Sequence, residues 1–430
     1  MDIIFFGHDV SYGRLAFALA DKLPTDFRLV FYCNKPGLAW FVRSRLGVFT
    51  VRAGCGRLAK RFKPLDQPPF KLNMLFYPTS GAMLPIWHAV AQWHYRECSR
   101  ALRSTEPALF ICPGEYRITE QAFMAVAQQE YASTPMVFFE AGPGPHVYVD
   151  HQGVNANASF TYSPISGDMM ARKAPAVPIE GEIPSNNAGR QFSALFAKGL
   201  DLLWVLGLQW FSQLNEFTEY VDALRNRYKL WKIKYNSNIS HEMPIISSAG
   251  KYLLFVDQVQ SDVNATHFGC MDSEIYSRIA ELLGSNPEWN LVWRPHPLER
   301  REELFSKIFQ IAPGRVFLST TASFADDLSR ANAVLTVNSN GGLDALLAGI
   351  PVLLFGASYY QQLLGVTRTP EQLAATISTS SPSSSIIRQS AEEFIRSKFI
   401  PLDYRGQDFS NAGALVRLLL SYIGRHGDMS

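Results

Sequence analysis

Apolar residues in this chain fall in short unbroken runs separated by polar turns, with helical spacing between many of the runs. Continuous apolar runs of four to eight residues are what strands buried on both faces require, and their alternation with helical segments predicts parallel βαβ units. Residues 3–6 form the first run, followed by a loop with Gly7, His8, Asp9 and Gly13 and a helical pattern over 14–22. Further strands are expected at 29–33, 48–51, 108–112 and 136–139, with helices over 36–46 and 119–131. In such sheets ligands sit beyond the carboxyl ends of the strands. Here those ends carry His8, Asp9, Glu115, Glu140, Gly142 and Gly144. The first loop lacks the spacing G-x-G-x-x-G, which argues against a nicotinamide or flavin site.

The same pattern begins again near residue 252. Strands are predicted at 252–256, 290–293 and 316–318, with helices over 273–283 and 324–330. The stretch 333–355 then reads strand, polar turn (Asn338, Ser339, Asn340), helix and strand, with Gly349 placed as a helix C-cap and Pro351 just beyond it. A polar turn that opens a helix presents free backbone N–H groups and the positive end of the helix dipole, an arrangement that binds anions. An Asn/Ser cap without a ligand explains the turn equally well. Residues 376–385 are Ser/Thr-rich and read as a loop, and 390–399 and 411–423 as closing helices.

Composition narrows the class. At 430 residues two domains are the default, and 47% hydrophobic with 18% charged residues is globular. A formal net charge of +2 gives no argument for nucleic acid. Arg43, Arg45, Arg52, Arg57, Lys60, Arg61 and Lys63 nevertheless form a basic cluster with no acidic residue until Asp66. It suits an anionic membrane surface or glycan, or is a solvated face. The five cysteines are scattered without metal-type spacing, as expected of reduced thiols in a cytosolic protein. No cationic leader precedes the first strand, and no uncharged apolar run reaches the roughly 18 residues of a membrane span. The apolar stretch 192–217 is interrupted by Lys198 and Asp201 and reads as a helix docked on the core, the alternative being a membrane-surface helix.

Three strand ends of the second half carry candidate chemistry: Asp257 and Gln258 with Asp262, then Arg294-Pro295-His296-Pro297, then Asn338-Ser339-Asn340. The two prolines hold the imidazole of His296 stiffly, placing it to hydrogen-bond a phosphate beside a helix N-terminus. Two Rossmann-like halves facing a cleft form the GT-B architecture of many nucleotide-sugar glycosyltransferases. The expected fold class is therefore α/β, GT-B.

Gln258-x-x-x-Asp262, His296-Pro297 and the block from Asn338 to Phe355 resemble the retaining β-Kdo transferases of bacterial capsule and O-antigen synthesis. In the first half, Glu140-Ala141-Gly142 and Asp150 with Gly153, Asn155 and Asn157 resemble the glutamate-glycine and aspartate-glycine-asparagine blocks of capsule polysaccharide synthesis and export proteins. Ala141 departs from relatives that carry an acidic residue there, and 192–217 has no counterpart, which leaves the acceptor open. The resemblance implies transfer of Kdo from CMP-β-Kdo, without a metal, to a glycan or lipid-linked oligosaccharide. Asp262 is then the nucleophile, with Gln258 orienting it or the sugar, and Glu140 is the base on the acceptor hydroxyl. His296, Arg294, Asn338, Ser339, Asn340 and Gly341 hold the CMP phosphate. Without a ligand, Asp262 is a capping or salt-bridging carboxylate, Glu140 a structural hydrogen-bonder, and Asp150, Asn155 and Asn157 turn formers.

The corresponding domains are an acceptor domain over 1–163, a linker and helical segment over 164–245, a nucleotide-sugar domain over 246–395 and closing helices over 396–430. A cytoplasmic protein, peripheral on the inner face of the inner membrane, is expected. Two other readings are a CDP-glycerol-type polyol-phosphate transferase, which attacks phosphorus and leaves Asp262 unmodified, and a non-catalytic capsule-assembly component acting through the basic cluster.

Overall fold

The computed structural model describes residues 1–43, 46–50, 68–73, 84–161, 196, 199–200, 251–259, 262–296, 302–319, 323–406 and 408–427. Most of the basic cluster, the linker, nearly all of 192–217 and Pro297 lie outside them. Among the described residues, those numbered 1–154 and 399–427 form one compact unit and those numbered 155–161 and 251–398 another. Each is built on its own largely parallel sheet with helices, so the α/β class with two Rossmann-like domains is the observed one.

In the first unit β1 (Asp2–Phe6), β2 (Arg28–Cys33), β3 (Gly47–Thr50), β4 (Pro107–Cys112), β5 (Met136–Ala141), β6 (His146–Asp150) and β13 (Ile400–Pro401) lie in the order β13-β6-β5-β4-β1-β2-β3. The chain runs outward from β1 to β3, then returns to β1's other side at β4, so the switch point lies between β1 and β4. All five residues of β1 are buried, as a central strand covered on both faces demands. One face packs Ile3, Phe5, Phe31, Leu109 and Phe139 against Leu15 and against Leu415 of the last helix, Ala412–Gly427. The strand β6 runs antiparallel to β5 and accounts for a segment the sequence reading left unassigned; Asp150 ends it by accepting from the N–H groups of Gln152 and Gly153. The helix Leu84–Leu102 was likewise not anticipated.

In the second unit β7 (Lys251–Val256), β8 (Trp289–Arg294), β9 (Val316–Leu318), β10 (Ala333–Thr336), β11 (Val352–Leu354) and β12 (Val366–Thr367) lie in the order β12-β11-β10-β7-β8-β9, all parallel. Here the switch point lies between β7 and β10. The core gathers Leu253, Phe255, Leu291, Trp293, Leu335 and Leu353 against Ile275, Ile279 and Leu283 of the helix Asp272–Ser285. One expectation is corrected. The Ser/Thr-rich segment 376–385 is mostly helical, because Thr369 and Pro370 start a helix, Pro370–Thr379, with a reciprocal Thr369–Gln372 capping box. Thr376 and Thr379 keep it going by donating their hydroxyls to the carbonyls of Gln372 and Ala375. The next helix, Ser384–Lys398, likewise begins earlier than read.

His94, in the helix Leu84–Leu102, is buried and its Nδ1 has no hydrogen-bond partner; burial pushes its imidazole down to about 3. Below the unfolded-state value of about 6.5 the unfolded chain binds a proton that the folded chain refuses. Folding stability then falls with pH between about 6.5 and about 3, by up to about 1.4 kcal/mol per unit from this residue. Urea titrations at pH 7.5, 6 and 5 should show a steeper loss for the wild type than for His94→Leu.

Candidate active site

The carboxyl ends of the three central strands of the second unit carry the motifs singled out in the sequence. Asp257 and Gln258 leave β7, Arg294, Pro295 and His296 leave β8, and Asn338, Ser339 and Asn340 leave β10. The Asp257 N–H donates to the Arg294 carbonyl at 3.0 Å, tying the first loop to the second. Across the switch point, the Gln258 Nε2 donates to Asn338 Oδ1 at 2.9 Å and the Asn338 N–H donates back to Gln258 Oε1 at 3.3 Å. Asn338 Nδ2 donates to the carbonyls of Asn264 (2.7 Å) and Ala357 (3.0 Å). Its carboxamide therefore joins four chain segments, and both Gln258 and Asn338 are buried.

Just beyond this latch the helix Asn340–Leu347 begins. Ser339 caps it, its Oγ accepting from the Gly341 N–H at 3.2 Å. Tyr360 donates its hydroxyl to the Ser339 carbonyl, and Tyr359 donates to Asn340 Oδ1 at 2.7 Å. Burial keeps the Tyr360 phenol well above its usual titration range, so it remains a donor. Gly342 packs against that phenol so closely that a Cβ would overlap it, and Gly349 ends the chain's turn out of the helix at φ 78°. The helix N-terminus is thus held in place from three sides, with its dipole directed at the end of the sheet.

Asp262 is exposed and caps the short helix Val263–Phe268, its Oδ1 accepting from the Asn264 N–H at 2.7 Å. The same helix supplies the Asn264 carbonyl that Asn338 binds, so Asp262 and the switch-point latch share one support. Arg294 is bound to a buried carboxylate that the sequence reading did not single out: its Nη1 donates to Asp327 Oδ2 at 2.6 Å, and Ser319 donates to the same oxygen. The guanidinium also lies over Phe324, 5.7 Å from the ring centre. Arg294 therefore anchors the β8 loop as well as carrying charge to it. His296 follows two residues later and is half-buried.

In the first unit Glu140 closes β5, its Oε1 accepting from the Ala141 N–H at 2.8 Å. Glu115 accepts from the Val154 N–H at 2.6 Å, and Asp9 caps the helix Val10–Ala20 through the N–H groups of Ser11 and Tyr12. Asn155 adopts φ 55°, in keeping with its reading as a turn former. Asn264, Asp327, Tyr359 and Tyr360 escaped the sequence reading. Only the tyrosine pair, directly after the loop that leaves β11, carried a signal in its position.

The model of the family described as capsule polysaccharide biosynthesis protein matches residues 111–400. No curated protein matches the chain. Among solved structures, KpsC of Thermosulfurimonas dismutans, a β-Kdo 2,7 transferase, is similar at 12% identity over 97% of this chain and 99% of its own, with a TM-score of 0.40. The calicheamicin glycosyltransferase CalG4 is similar at 15% identity over 98% of each chain, with a TM-score of 0.37. UDP-GlcNAc 2-epimerase of Neisseria meningitidis, bound to UDP-GlcNAc, is similar at 13% identity over 98% of this chain and 99% of its own, with a TM-score of 0.35.

The latch is open to a direct test. Gln258→Ala leaves the buried Asn338 carboxamide oxygen without its donor, which costs about 1–3 kcal/mol. Urea denaturation should show a loss of this size, and Gln258→Glu, which replaces the donor with an acceptor, should lose at least as much.

Proposed function

We propose, from the premise that this chain belongs to the capsule polysaccharide biosynthesis protein family, that it is a GT-B glycosyltransferase that moves Kdo from CMP-β-Kdo to a glycan or lipid-linked acceptor with retention of configuration. The observation that carries this reading is the latch between Gln258 and Asn338. It joins two of the motifs that resemble the retaining β-Kdo transferases at the switch point, next to the strand that leads to the third. Switch points are where open α/β sheets bind their ligands.

In this reading the CMP phosphate sits at the N-terminus of the helix Asn340–Leu347. The dipole and the backbone N–H groups around Ser339, Asn340 and Gly341 offset its charge, and His296 donates to it. Asn338 contributes by fixing that turn, since its carboxamide already has three protein partners. Arg294, balanced by Asp327, holds the β8 loop and adds to the positive field on the phosphate or the Kdo carboxylate. The Asp262 carboxylate forms a bond to the anomeric carbon of Kdo as the bond to phosphate breaks and CMP departs. The acceptor oxygen then displaces Asp262, and two inversions give net retention. Glu140 belongs to the acceptor side, where the resemblance gives it the role of base. The protein works in the cytoplasm, where CMP-activated sugars are used, and contacts an anionic membrane surface.

The capping bond of Asp262 favours a second reading, the CDP-glycerol-type polyol-phosphate transferase, in which Asp262 is purely structural. One experiment separates the two. Incubated with CMP-Kdo and no acceptor, the protein should release CMP and gain the mass of one Kdo residue on the peptide containing Asp262. Asp262→Asn should keep the helix cap, hold its stability within about 0.5 kcal/mol and form no adduct. A wild type without adduct, or an adduct that survives in Asp262→Ala, would overturn the covalent mechanism.

A further inference from the structure

One motif of the sequence takes no part in the proposed reaction, the block from Asp150 to Asn157. Its first residues belong to the first unit, where Asp150 accepts from Gln152 and Gly153 and the Val154 N–H donates to Glu115 Oε2 at 2.6 Å. From Asn155 onward the chain belongs to the second unit. Asn155 stands at φ 55°, in the left-handed region, and opens a single helical turn, Asn155–Asn157. Its carbonyl accepts from the Ala158 N–H at 3.1 Å, and both Ala156 and Ala158 are buried. A turn that merely reversed the chain at the surface would not bury its alanines.

The turn packs against the helix Val263–Phe268, the one that Asp262 caps. With six residues that helix is too short to be stable alone, so its neighbours decide where it lies. Asn338 holds the Asn264 carbonyl, and Ala357, in the loop after β11, donates its N–H to the Phe268 carbonyl at 2.7 Å. Gly356 approaches the same carbonyl so closely that a Cβ would stand 2.4 Å from the oxygen. The Asn155–Asn157 turn is a further support. A few residues on, Phe160 meets Tyr359 and Phe394 edge-on, 6.2 and 5.7 Å between ring centres, and Tyr359 is the residue that binds Asn340. One short segment thus touches the helix under Asp262 and a residue that fixes the first turn of the helix Asn340–Leu347.

We propose that the segment 155–161 positions the nucleophile, the Asn155–Asn157 turn holding the helix Val263–Phe268, and through it the Asp262 carboxylate, where it meets the anomeric carbon of the donor. The proposal rests on the Kdo-transfer reading and gives a task to a block which that reading left idle. Asn155 is a positioning residue that acts through the backbone conformation of its turn. Asparagine is among the few residues that enter the left-handed region readily, and glycine enters it at no steric cost. Alanine resists it, so Asn155→Ala loosens the turn and frees the helix to shift. Asn155→Gly keeps the turn and discards only the side chain.

Rapid-quench measurement of the Asp262 adduct, formed from CMP-Kdo without acceptor, tests this. Asn155→Ala should form the adduct about 10²-fold more slowly, as expected when a reacting group is slightly misplaced. The CMP-Kdo concentration giving half the maximal rate should change by less than about threefold, and Asn155→Gly should restore the rate to within about threefold of wild type. An Asn155→Ala rate within about threefold of wild type, or a loss that Asn155→Gly shares in full, would overturn the proposal. Hydrogen exchange supplies a readout that does not depend on Kdo. In Asn155→Ala the amides of Thr266, His267 and Phe268 should exchange about tenfold faster, while those of Leu253 to Phe255 in β7 keep their wild-type rates. If the wild type forms no adduct, the Kdo reading falls and the support of the helix by the turn is judged by exchange alone. Helix amides that keep their wild-type rates, or that accelerate no more than those of β7, overturn it.

Discussion

Reciprocal hydrogen bonds between Gln258 and Asn338, eighty residues apart in sequence, are the interaction on which the second unit's site depends. In a parallel sheet the loops on either side of a switch point turn away from each other, opening a crevice with no backbone ladder to hold it. Two buried amides are an economical solution, since each presents a donor and an acceptor and each must be satisfied. Asn338 adds bonds to the loops before β12 and to the helix that Asp262 caps. One side chain thereby sets the relative positions of the β7 loop, the helix N-terminus at Ser339 and the carboxylate of Asp262.

The same economy runs through the rest of the site. Asp262, Ser339 and Arg294 all have structural partners, and none is thereby excluded from chemistry. A capping carboxylate is immobilised and aimed, which removes the entropy that a free side chain loses on reaching its target. Arg294 paired with Asp327 keeps a defined guanidinium plane, at the cost of a weaker net charge at this edge. The unpaired positive field at this edge then comes mainly from the helix Asn340–Leu347, which explains why so many contacts (Ser339, Tyr359, Tyr360, Gly342) serve to fix its first turn.

Local pattern made the central strands legible. Runs such as 3–6 and 333–335 have to be apolar throughout because both faces of their sheet are covered. The places where the reading fell short are those where tertiary context outweighs pattern. The strand β6 was passed over because its pairing with β5 is antiparallel, set by the hairpin at 142–145 rather than by a crossover helix. The segment 376–379 was read as loop because Ser and Thr favour turns, yet its threonines bond back to the preceding helical carbonyls. In the site, the residue types and strand ends were recoverable from sequence. The partner of Gln258 was not, since nothing in a single sequence links positions so distant. Nor could sequence reveal that Arg294 is bound by Asp327, or that Glu120 faces His8.

That last juxtaposition shows how burial decides the charge of a group that faces a carboxylate. A histidine facing a carboxylate would ordinarily be drawn toward its charged form. In the first unit burial, and after it the charges of Arg117, Lys35 and Arg405, push the His8 imidazole well below its usual range. Glu120 is left to orient the ring without charging it. A buried imidazole facing a carboxylate already spent on two backbone N–H groups therefore stays neutral and does not form a plain ion pair.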